Sequence, residues 1–150
     1  MKAKSERLAL VADLAANEEL KAQEQMQIAR RFLDQQNSQL NALQDYRDQY
    51  IAQYKTQQAG ARHVQQLLNY QKFIAQLDGA IEQQGNMVKQ AELAFQQTKG
   101  KWLALTEKRK GMKNLENHYA EKERLDREKK EEKQIMDDFT ASRARRHRHH

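Results

Sequence analysis

The five histidines are the first residues in this sequence whose type suggests metal or proton chemistry. Imidazole is the commonest transition-metal ligand, and His147, His149 and His150 form a C-terminal tract able to take a soft metal. An unstructured tail with adventitious affinity explains that tract without a built site. His63 and His118 stand apart from other ligand types and read as surface histidines. No phosphate-cradling G-x-x-x-x-G-K-[ST] loop, H-E-x-x-H helix or G-x-S-x-G elbow occurs. The absence of cysteine removes a disulfide scaffold, a zinc-thiolate site and a catalytic thiol. The expectation is a protein that is not an enzyme, with no catalytic residues, cofactor, metal or small-molecule substrate.

Chemistry on side chains needs elements that enclose it, and the composition argues against enclosure. Mean hydropathy is −1.12, and Ala, Leu, Glu, Gln, Lys and Arg dominate, as in long helices and coiled coils. The N-terminal apolar run from Leu8 to Ala12 stops at Asp13, too short for a signal peptide core. No segment approaches the roughly 18 apolar residues of a membrane span. A cytoplasmic protein is expected.

Of the net charge of +6, the surplus is C-terminal: residues 101–150 carry 15 basic and 10 acidic side chains. Nucleic acid would require a one-sided basic surface interleaved with stacking aromatics, and the interleaved acids read instead as a solvated helix face. No nucleic-acid partner is expected. An anion-binding adaptor for membrane or nucleic acid would have to retain affinity at high salt, which this charge pattern does not favour.

Without proline, glycine and polar clusters punctuate the chain. Residues 57–63, with Gly60 at their centre, interrupt the apolar periodicity and read as a connection. Before it a 3-4 spaced series runs from Leu8, Ala12, Ala15 and Glu19 through Leu33, Gln36 and Leu43 to Arg47, Tyr50 and Tyr54. Only Glu19, Gln36 and Arg47 in that series are strongly polar. After the connection Leu67, Ile74, Ile81, Val88, Phe95 and Trp102 recur every seven residues, with a companion row from Tyr70 and Leu77 to Tyr119. Two heptad seams around one short break predict an all-α, long antiparallel two-helix coiled coil. The boundaries expected are helix 1 at about 6–57, a connection at about 58–63 and helix 2 at about 64–140. These make one domain over 1–142, followed by a basic disordered tail at 143–150.

With the turn near 60, positions summing to about 120 should face each other: Tyr50 with Tyr70, Leu43 with Leu77, Leu8 with Met112. The second helix then overhangs by roughly 25 residues, about 35–40 Å at 1.5 Å per residue. Beside its seam, Phe73, Ala80, Met87 and Ala94 form a second apolar row, and Tyr46 sits one step off the first seam. Both a partner surface and a wide stripe covered by Gln, Lys and Arg stems fit that pattern.

The stretch Leu68-Asn69-Tyr70-Gln71-Lys72-Phe73-Ile74-Ala75-Gln76-Leu77-Asp78-Gly79-Ala80-Ile81-Glu82-Gln83-Gln84, with Gln39, Leu43, Asp45, Tyr46 and Tyr50, resembles the FliJ family of flagellar export proteins. The resemblance implies a small cytoplasmic component of the flagellar type III export apparatus, similar to the coiled coil of the rotary ATPase gamma subunit. It implies three partners: the ring of the export ATPase, the cytoplasmic domain of the export gate, and export chaperones. Membrane association would be peripheral and indirect, at the flagellar base, and motility and chemotaxis would depend on the protein. The family's gate-binding positions correspond to Phe73, Leu77, Ala80 and Gln84, with Tyr46 beside them. Some relatives carry histidine where Gln84 stands, and glutamine cannot titrate near neutrality. The ATPase-facing end is expected at the paired termini, with Lys122, Arg124, Arg127, Lys129 and Lys130. A structural stalk subunit of a related injectisome or rotary ATPase is the alternative.

Overall fold

The computed structural model describes residues 3–57 and 64–148. Two helices account for nearly all of them: α1, Lys4–Thr56, of 53 residues, and α2, Val64–Arg148, of 85 residues. The fold is an all-α two-helix hairpin in which the second helix is much the longer. The connection expected at 58–63, with Gly60 and His63, lies outside the described residues, as do His149 and His150.

Both ends of α1 and the C-terminal end of α2 are matched to their charge. Glu6 sits in the first turn of α1 and Lys55 in its last, while Arg145, Arg146, His147 and Arg148 close α2, each sign favoured by the helix dipole. This corrects the expected tail: residues 143–148 continue α2. Arginine and alanine are good helix formers, and basic residues suit a C-terminal turn. Gly79, Gly85, Gly100 and Gly111 lie inside α2, and a Cβ built on any of them meets nothing within 4 Å.

The chain divides into two compact units, where one domain was expected: Leu20–Leu103, and Met1–Glu19 together with Ala104–His150. In the unit Leu20–Leu103 the buried centre is Leu33, Ala91 and Phe95, with Met26, Ala29 and Val88 packed against it. Leu77 and Ala22 are buried as well. Both seams behave as the spacing predicts, apart from Leu67, which stays 40% exposed. Tyr54 and Tyr70, stacked with ring centroids 3.7 Å apart, close the interhelix packing next to it.

In the other unit Ala12 and Ala15 are the buried residues, small enough to let the backbones approach. Lys4 and Ser5 reach Tyr119 and Glu123, a few residues beyond the positions 116 and 115 that a sum of about 120 would set opposite them. Cβ atoms lean toward the N-terminus of their own helix, so long side chains of an antiparallel pair meet where residue numbers sum to more than 120. Beyond Glu123 every residue of α2 through Arg148 is exposed.

Candidate partner-binding surfaces

The three polar residues of the α1 seam each find a partner on α2. Arg47 donates from Nε to Asp78 Oδ1 at 2.6 Å, and this bond, with the carboxylate's charge, raises the guanidinium's pKa further above its ordinary value. Gln84 donates from Nε2 to both the backbone carbonyl and Oε1 of Gln36, at 2.9 and 2.8 Å. Within the other unit Arg109 binds Glu19 and Lys108 binds Glu18 at 3.3 Å. Asp78 was not singled out from the sequence. Its signal was Arg47, a cation in a seam that needs an acid opposite.

The five gate-type positions fall into two groups. Leu77, 8% exposed, and Gln84 belong to the interhelix seam. Tyr46, 49% exposed, and the half-buried Phe73 form an edge-to-face pair with centroids 6.1 Å apart, and Phe73 also leans on Tyr50 at 4.4 Å. Tyr50 continues to Tyr70 at 5.7 Å, making an aromatic ladder that runs along α1 toward Tyr54. Ala80 is half-buried, whereas Met87 and Ala94 are exposed, so the second apolar row opens outward with distance from Phe73. A polar-rimmed hollow lined by Tyr50, Tyr54, Gln57, Gln66, Asn69 and Tyr70 adjoins the ladder.

The second surface is the paired start of α1 and the continuing α2. Lys4 Nζ lies 4.2 Å from the Tyr119 ring centroid and donates to its hydroxyl oxygen at 3.1 Å, which lowers the phenol's pKa. Ser5 donates from backbone N to Glu123 at 3.1 Å and from its hydroxyl as well, holding that carboxyl below its ordinary range. Arg124 bridges Glu121 and Glu128, lowering the pKa of Glu121 and raising its own. Lys122, Arg127, Lys129 and Lys130 are exposed on the same stretch among Glu123, Asp126, Glu131 and Glu132, so the charge is mixed all round the helix. His118 is exposed and meets the Tyr119 ring edge-on at 5.4 Å. Among the described residues no group of three or more His, Cys, Asp or Glu is placed to hold a metal, and no helix is long and apolar enough to cross a membrane.

Fold and surfaces together define a two-helix coiled-coil protein that offers side chains for contact on the outside of a narrow seam. The chain belongs to the Flagellar FliJ protein family, whose model matches residues 4–149. That membership makes it a component of the flagellar export apparatus. No curated protein and no solved structure matches the chain.

Proposed function

We propose that the protein regulates flagellar export by binding. In this reading the paired termini and the continuing α2 engage the ring of the export ATPase as a stalk, and the Tyr46 and Phe73 edge contacts the cytoplasmic domain of the export gate. Export chaperones are its third partner, and it works in the cytoplasm against the inner face of the membrane at the flagellar base. The observation that carries the gate surface is the aromatic pair off the seam, exposed Tyr46 against half-buried Phe73, since aromatics at a partly open edge are common anchors of protein interfaces. The stalk reading is supported by family membership and by the mixed-charge stretch that includes Lys122, Arg124, Arg127, Lys129 and Lys130.

The test is ATP hydrolysis by the cognate export ATPase across a titration of this protein, with ring assembly followed by light scattering. Stimulation with growth in particle size is expected. Reversing several of those five charges should reduce stimulation before it touches gate binding. If only gate binding responds, the two ends are assigned the wrong way round, and if a helical, monodisperse protein changes neither rate nor size, the stalk reading fails.

A further inference from the structure

Past Glu123 α2 runs on without α1 beside it, yet its apolar side chains are gathered and not scattered. At 100° per residue, Leu125, Ile135, Met136 and Phe139 fall within an arc of about 100°. That arc lies roughly opposite Tyr119 and Glu123, the residues that reach α1. The positions that continue the α1-facing seam are Arg127, Lys130, Gln134 and Asp137, all polar and exposed. Ile135, Met136 and Phe139 are 68%, 63% and 62% exposed. The helix is held locally by Arg124 with Glu121 and Glu128 and by Gln134 with Asp138, pairs three and four residues apart that support a helix standing alone.

Along this second arc the 3-4 spacing passes through Glu128, Glu132, Ile135 and Phe139 and ends at Arg146, with Arg143 beside it. The order is acid, apolar, basic. We propose that this segment pairs with the same segment of a second copy, antiparallel. Ile135 then meets the partner's Phe139, Glu132 the partner's Arg143 and Glu128 the partner's Arg146, and two-fold symmetry repeats each contact. A parallel copy would set acid against acid and arginine against arginine, which is repulsive at facing heptad positions. Charge order therefore selects both the occupant and its direction. The apolar centre is only three residues per copy, well short of the roughly 1,600 Å² of a standard stable interface, so the dimer is weak and salt-sensitive. Lys122, Arg127 and Lys130 lie off this arc, and Lys129 and Arg124, which bridges Glu121 and Glu128, sit at its borders, so the pairing does not depend on the ATPase reading.

Sedimentation velocity of the intact chain over a wide concentration range tests this. A reversible monomer–dimer equilibrium, weakened by salt, is expected. Ile135→Glu should abolish it with helicity unchanged by circular dichroism. Glu132→Arg and Arg143→Glu should each weaken it about tenfold, and the two together should restore it, because the charges are exchanged and remain complementary only in the antiparallel arrangement. A wild-type chain that stays monomeric at every concentration overturns the proposal. So does a dimer indifferent to Ile135→Glu, or a double charge exchange no better than its singles.

Discussion

Replacing Gln84 by leucine isolates what one buried polar contact contributes to this hairpin. Gln36 is 7% exposed, and its side-chain oxygen and backbone carbonyl both accept from Gln84 Nε2. The carbonyl still has its helical partner after Gln84→Leu, but the Gln36 amide is left buried without this donor, at a cost of about 1–3 kcal/mol. A half-buried leucine returns something under about 1 kcal/mol through apolar burial. The net loss should be about 1–2 kcal/mol. Gln36→Leu should cost less, since Gln84 keeps the carbonyl of residue 36. The double replacement leaves no orphan and should recover most of the loss, giving a coupling of about 1–2 kcal/mol between the two positions. Urea unfolding followed at 222 nm, with Trp102 fluorescence checking for a single transition, measures all four proteins. If Gln84→Leu unfolds at the wild-type midpoint, or the double variant equals the sum of its singles, the contact contributes nothing and the reasoning is refuted.

Three further outcomes are expected. Gly79→Ala and Gly111→Ala should each raise stability by about 1 kcal/mol, because the added methyl meets no neighbour and removes a helix-interior glycine; an unchanged urea midpoint would contradict this. The link between Ser5 and Glu123 should be complete above the ordinary carboxyl pKa of 4.5 and lost as pH falls through the lower folded value, since the carboxyl's pKa is depressed in the folded state. Amide exchange at Ser5 followed on acidification reads it, and protection unchanged well below that pH would count against the assignment. Leu77→Ala should cost about 2–4 kcal/mol of stability, from a buried leucine, while Tyr46→Ala should cost well under half of that yet weaken binding to the export-gate domain at least as much. Calorimetric titration beside urea unfolding separates the two, and equal stability loss at both positions would place Tyr46 in the core.

The seam was legible because helical spacing is a local signal: residues 3 and 4 apart share a face whatever their partner. The same spacing could not say why Glu19, Gln36 and Arg47 sit in an apolar row. Their partners Arg109, Gln84 and Asp78 lie 90, 48 and 31 residues away, and only the pairing of the helices brings them close. Register was legible near the connection, where Tyr50 meets Tyr70 and Gln36 meets Gln84. Elsewhere contacts depart from it by a few residues, Arg47 with Asp78 and Tyr54 with Tyr70 as much as Lys4 with Tyr119, because a rule built on equal residue numbers ignores the opposed lean of side chains on antiparallel helices. The helical state of 143–148 runs against the expectation of a disordered chain end, because its residues are good helix formers at a terminus that favours cations.

The gate-type positions show how one sequence motif can mix two physical roles. A heptad places Tyr70, Leu77 and Gln84 on one line, and Phe73 and Ala80 on the line beside it. Leu77 and Gln84 spend their side chains on α1, so any effect they have on a partner passes through the pairing of the helices and the position of what stands next to them. Exposed Tyr46 and half-buried Phe73 instead pair their rings edge to face off that line. Gln84 suits the inner role better than a titrating residue would. Its amide donates to Gln36 at any pH, whereas a histidine there would trade a donor for a charge in a half-buried layer. An amide at this position therefore implies an interhelix contact insensitive to pH near neutrality.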